Sequence, residues 1–145
     1  MYESCEKSKD GSKEYHNAVF VGLDENGVPR HAHKQGLYTF SESFKVNVDS
    51  SSPEYSFHHI GMDSQLYLFE APIDMLSFPQ STELAGSQLC GSLRRGNPSH
   101  ALDMLAQNPR LTKVALCLDN DEAGHKATAR IREQLAEGGC SVERP

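Results

Sequence analysis

The segment LCLDNDEAG, residues 116–124, places Asp119 and Asp121 one residue apart between an apolar run and a glycine. Neighbouring carboxylates repel, and a cation is the usual compensation. Earlier, LYLFEAPID, residues 66–74, ends a second apolar run in Glu70 and adds Asp74 one helical turn further on. Three or four acids brought to one spot form a hard oxygen-ligand set, suited to Mg2+ or Mn2+ in preference to zinc. Asp121 has an alternative role, because an aspartate just before a helix caps free backbone N–H groups. Asp119 sits at a strand end and has no such role, whereas Glu70 by itself would be an ordinary solvated charge. The signal lies in the combination. A calcium-binding EF-hand loop starting at Asp119 would place Gly124 correctly, but it puts Arg130 where a bidentate glutamate is required. A phosphatase of the haloacid-dehalogenase type needs its DxD after an opening strand and a threonine close behind. Here the strand is late and Glu122-Ala123-Gly124 follows.

The elements that would carry these acids alternate. LYLFE reads as a short strand, and Pro72 opens a helix over 71–78 that Pro79 stops. Residues 87–92 suit a brief strand, and 98–109 a helix with proline near both ends. KVALCL, 113–118, is a buried strand. The helix over 122–139 repeats Ala123, Ala127, Ile131 and Leu135 every four residues and ends at Gly138-Gly139. The order β-α-β-α-β-α predicts an α/β fold with a parallel sheet flanked by crossover helices. Ligands bind such sheets at the C-terminal strand ends, where Glu70 and Asp119 fall.

Upstream, residues 18–23 and 28–34 read as a β-hairpin around the turn sequence DENG. Residues 1–14 are expected to form a flexible lead-in, 15–62 a small β-rich subdomain with a Ser-rich loop over 41–56, and 63–145 the α/β domain. The 145 residues carry a net charge of −6, so a stand-alone duplex binder working by phosphate neutralisation is excluded. No apolar run approaches the roughly 20 residues of a membrane span, and the polar N-terminus is not a signal peptide. The four cysteines form no CxxC pair and read as free thiols of a cytoplasmic protein.

The pair LYLFEAPIDMLSF and LCLDNDEAGHKATARI resembles the Toprim domain, the metal-binding fold shared by bacterial primases, topoisomerases and some nucleases. Glu70 and Asp74 match its EGxxD-type motif, with Ala71 in the glycine place; Asp119, Asp121, Ala123 and Gly124 match its DxDxAG motif. The wording E-x-P-I-D-x-L-S looks most like the primase-type domains of bacterial plasmids and integrative elements, in which an uncharacterised domain precedes Toprim. The resemblance implies Glu70 as general acid or base and Mg2+ or Mn2+ held by Asp119 and Asp121, with Asp74 secondary. It also implies DNA or RNA and nucleotides as ligands, and a helicase or relaxase as partner. The family continues past the last helix with a further strand and acidic motif, so the chain is expected to be truncated at its C-terminus.

Two basic groups are candidates for phosphate contacts: Arg30, His33 and Lys34 on the second hairpin strand, and Arg94 and Arg95 in the loop after residues 87–92. His31 and His33 alternate and should share a face, which is more simply solvent-facing than metal-binding. Three functional readings follow: nucleotidyl transfer or phosphodiester cleavage by a primase-like domain, a non-catalytic metal- and nucleic-acid-binding module, and a small-molecule phosphohydrolase.

Overall fold

The computed structural model describes residues 1–37, 44–78, 88–91, 98–136 and 139–144. Pro79, Arg94 and Arg95 lie outside them. The chain divides into two units, Met1–Phe57 and His58–Pro145.

The first unit is an antiparallel sheet of β1 (Tyr2–Lys7), β2 (Glu14–Leu23), β3 (Pro29–Gly36) and β4 (Lys45–Asn47), in that order, followed by a 3-10 turn at Pro53–Tyr55. Strand β2 buries Ala18 and Phe20, two residues apart as the pleat requires. Phe20 packs edge-on against Phe57, with ring centroids 5.4 Å apart. The expected hairpin is β2–β3, and its turn is closed by Asp24. One carboxylate oxygen accepts the N–H groups of Asn26 and Val28, each at 2.9 Å, and the other accepts Arg30 Nε at 2.8 Å. Gly27 takes φ +75°, which a side chain would resist.

Three expectations for this unit need correction. Residues 1–14 are not a free lead-in, because β1 pairs with β2 from Tyr2↔Val19 to Lys7↔Glu14. The stretch 41–56 is not all loop, since β4 lies within it and pairs with β3. His31 and His33 do share a face, opposite Gly22 and Phe20 respectively, but it is the inward one: His31 is buried and His33 half-buried beside Phe20.

The second unit is a five-stranded sheet in the order β5 (His58–His59), β7 (Gln88–Gly91), β6 (Gln65–Phe69), β8 (Lys113–Cys117) and β9 (Ser141–Glu143). Strands β7, β6, β8 and β9 run parallel, and β5 is antiparallel at the edge. The helices are α1 (Pro72–Ser77), α2 (Ser99–Gln107) and α3 (Glu122–Ala136). Leu66 and Leu68 of β6 and Val114 and Leu116 of β8 share one core with Ala101 and Met104 of α2 and Ile131 and Leu135 of α3. Helix α3 buries Gly124, Thr128, Ile131 and Leu135, while Ala123 is exposed. A fourfold repeat advances about 40° per step around a helix of 3.6 residues per turn, so a stripe anchored at Leu135 leaves Ala123 outside. A strand does follow the last helix: β9 pairs in parallel with β8 from Lys113↔Ser141 to Ala115↔Glu143.

Candidate metal centre

The chain leaves β6 for β7 on one side and then crosses to β8 on the other, so the direction of winding reverses between β6 and β8. Open α/β sheets form their binding crevice at this reversal, beyond the C-terminal strand ends. Both acidic motifs emerge there. The register pairs Phe69 with Cys117, so Glu70 leaves the sheet beside Leu118, one residue before Asp119. Glu70, Asp119 and Asp121 are exposed and Asp74 is half-buried. Cys117, at the end of β8, is half-buried, and that burial pushes its thiol pKa up to about 11.

The turn between β8 and α3 is tightly built. Asp121 Oδ1 accepts the Gly124 N–H at 2.7 Å, and its carbonyl accepts the His125 N–H at 3.0 Å. Asp121 is therefore the helix cap that its position allowed, and it holds the turn in place. A Cβ on Gly124 would stand 2.0 Å from the Asp119 carbonyl oxygen and 3.3 Å from Asp121 Oδ1. The glycine lets the helix start directly beneath the aspartates. Thr128 closes the next turn by donating to the Gly124 carbonyl at 2.8 Å. Asp74 plays a parallel role in α1, where its Oδ2 accepts the Ala71 N–H at 3.0 Å.

Sequence reasoning missed Arg144. Its guanidinium donates to the Asp119 carbonyl at 2.9 Å and to His125 Nδ1 at 2.6 Å, bringing a fixed positive charge to the aspartate turn. The residue sits in the polar SVERP tail, which gives no periodic signal.

Among the described residues, no three of the four carboxylates have oxygens mutually within 4.8 Å. They form an open, water-exposed rim with no closed cage. That suits Mg2+, which keeps several waters and takes one or two carboxylates alongside substrate phosphates. The capping bonds engage one oxygen of Asp121 and one of Asp74, and each carboxylate has a second oxygen to offer. The donor set fits a hard divalent ion.

The first basic group does not form one patch. Arg30 falls at the β2–β3 irregularity and is paired with Asp24 at 2.8 Å. Lys34 is paired with Glu6 of β1. His33 lies on the opposite face of β3 from Lys34, since consecutive strand residues alternate, and it bonds Asn47 Oδ1 at 2.7 Å. Arg94 and Arg95 fall outside the described residues.

Residues 67–144 match a family described as Toprim-like. The chain belongs to the Toprim-like family. Residues 4–63, ahead of the Toprim-like segment, match a protein family of unknown function (DUF3991). An uncharacterised protein of Mycoplasma pneumoniae, an MG010 homolog, is 27% identical over 139 residues, covering 92% of this chain and 62% of that protein. Among solved structures, the primase fragment of the bacteriophage T7 primase-helicase superposes with a TM-score of 0.62 at 18% identity, over 97% of this chain and 56% of that one. The Aquifex aeolicus primase, solved with its zinc-binding and RNA polymerase domains, gives 0.66 at 18% identity, over 94% and 36%. The chain therefore spans little more than a third to under two thirds of these relatives, and at such identity the structural likeness is one of fold. Within the Toprim-like segment, both acidic motifs lie on the sheet edge described above.

Proposed function

We propose that this Toprim-like chain is a primase-like domain of a bacterial mobile element, acting on DNA or RNA through Mg2+ or Mn2+. The reaction class is nucleotidyl transfer, as in primer synthesis, or phosphodiester cleavage. The observation that carries the reading is the β6–β8 adjacency, which delivers Glu70 and Asp119 to one edge of the sheet. In this reading Asp119 and Asp121 hold the ion, Asp74 supports it, and Glu70 moves a proton to or from the reacting oxygen. A bound ion would neutralise the carboxylates and offer positive charge to phosphate oxygens, which answers the objection raised by the net charge of −6. Arg144 adds a fixed cation beside the Asp119 carbonyl. A helicase or relaxase partner, and a cytoplasmic location, belong to the same proposal; no described helix is long and apolar enough to cross a membrane.

Calorimetric titration of Mg2+ and Mn2+ tests the site, comparing the parent with an Asp119→Asn/Asp121→Asn double variant. Asparagine also caps helices, so the variant should keep its fold. Metal binding lost in the folded variant, together with metal-dependent extension or cleavage of a labelled oligonucleotide by the parent, is the expected outcome. Absence of metal binding by the parent at millimolar concentrations would sink the proposal.

The capping bonds of Asp121 and Asp74, with the open spacing of the rim, favour one second reading: a module that binds metal and nucleic acid without catalysis. Metal-dependent oligonucleotide binding with no product would single it out.

A further inference from the structure

We propose that Cys5, Glu14 and His16 form a second metal site, for Zn2+ or another thiophilic divalent ion, on the N-terminal sheet. The sequence hides it, because these residues have no ligand-like spacing. Pairing of β1 with β2 creates it. Cys5 stands directly opposite His16, and Glu14 lies two residues along β2 from His16, so all three project from one face. The Cys5 sulfur, a Glu14 carboxylate oxygen and a His16 ring nitrogen lie mutually within 4.8 Å. Ligands on a tetrahedral zinc ion stand about 3.3–3.6 Å apart, so small side-chain rotations close the set.

The surroundings also suit a metal. Cys5 Sγ is 2.7 Å from Glu14 Oε1, so sulfur and carboxylate already converge. Glu3 Oε1 holds His16 Nδ1 at 2.8 Å, the carboxylate–imidazole pairing that orients ligating histidines. Cys5 and Glu14 are exposed and His16 is half-buried, which gives three protein ligands with a side open to water. A thiolate and an imidazole select zinc over magnesium, so this site and the all-oxygen rim of the second unit take different ions.

The site would also serve the fold. Strand β1 buries no side chain fully and contributes none of the core residues, so a metal bridge would supply a tie that packing does not. Metal entry replaces the thiol proton by a metal–sulfur bond, and the proton leaves to buffer.

The test titrates Co2+ into the full chain in excess Mg2+, which occupies oxygen-only sites. One equivalent should produce a thiolate-to-cobalt charge-transfer band that Zn2+ abolishes. Cys5→Ser should remove the band, Glu3→Gln should weaken binding by about 10–100-fold, and His16→Ala should weaken it further. Asp119→Asn, although it alters the proposed Mg2+ site, should leave the cobalt charge-transfer band and its titration unchanged. A band that persists in Cys5→Ser, an unchanged affinity in His16→Ala, or no band with the parent in excess Co2+ would each overturn the proposal. Alkylation read by mass spectrometry gives a check without substitutions: Zn2+ should protect Cys5, and equal labelling with and without Zn2+ counts against the site.

Discussion

Gly124→Ala tests whether the carboxylate edge depends on the contact between α3 and the turn before it. The new Cβ would stand 2.0 Å from the Asp119 carbonyl oxygen, where non-bonded contacts stay beyond 3.0 Å, so the turn must move by at least about 1 Å. Three bonds hold that turn: the Asp121 cap on the Gly124 N–H at 2.7 Å, the His125 N–H bond to the Asp121 carbonyl at 3.0 Å and the Arg144 bond to the Asp119 carbonyl at 2.9 Å. Overpacking of this kind costs about 1–3 kcal/mol, and a weakened cap adds about 0.5–2 kcal/mol. Alanine returns about 1 kcal/mol of helix propensity. The net expectation is about 0.5–4 kcal/mol of destabilisation, read by urea unfolding followed by circular dichroism. The proposed Mg2+ site should weaken in parallel, because Asp119 shifts relative to Glu70, which the β6 strand holds. A Gly124→Ala protein as stable as the parent, with an unchanged Mg2+ titration, would refute the claim that this contact builds the site.

Three further outcomes follow from the same structure. Two backbone N–H bonds, chiefly that from Val28, and the Arg30 guanidinium hold the Asp24 carboxyl below its usual range. Its contribution to stability is therefore complete above the unfolded pKa of about 3.9 and is lost as pH falls through the lower folded value. Asp24→Asn should flatten the acid limb of the stability–pH curve, and an unchanged limb would contradict this. Ile131→Ala removes a fully buried side chain from the shared core and should cost about 2–5 kcal/mol in denaturant unfolding. Burial raises the Cys117 thiol from 9.0 to about 11, so near neutral pH its thiolate fraction is about a hundredfold below that of a free thiol. Iodoacetamide should label it correspondingly slowly, and labelling at the rate of a peptide thiol would refute the shift.

The parallel sheet was legible because β6 and β8 are apolar runs and helices alternate with the strands, and Glu70 and Asp119 were legible because each follows such a run. The rest failed for identifiable reasons. Strand β1 is the polar stretch YESCEK, exposed almost throughout, and β4, β5 and β9 are only two or three residues long. Such strands exist through pairing and leave no hydrophobic pattern. The burial of His31 depends on what packs over its face of the sheet, which one strand cannot reveal. The grouping of His33 with Lys34 could have been rejected at once, because neighbouring strand residues point to opposite faces. At the site, the motif identified Gly124 as small, but only the 2.0 Å approach to the Asp119 carbonyl explains why nothing larger fits. Arg144 was invisible, since it reaches a turn carbonyl and a histidine ring that are distant from it in the sequence.

The placement of β6 at the centre of the sheet has a consequence for how such a chain can vary. Glu70 and Asp119 meet through direct β6–β8 pairing, while β7, joined to β6 and β8 by two connections in the chain, pairs with the other edge of β6. Residues inserted into those connections lengthen the path between the two acidic motifs without entering the path that positions them. Doubling a flexible connection costs only about 0.6 kcal/mol of closure entropy. Relatives of this chain are thus free to differ widely in motif-to-motif distance while keeping the same carboxylate geometry, whereas a one-residue change in the 119–124 turn has no such latitude.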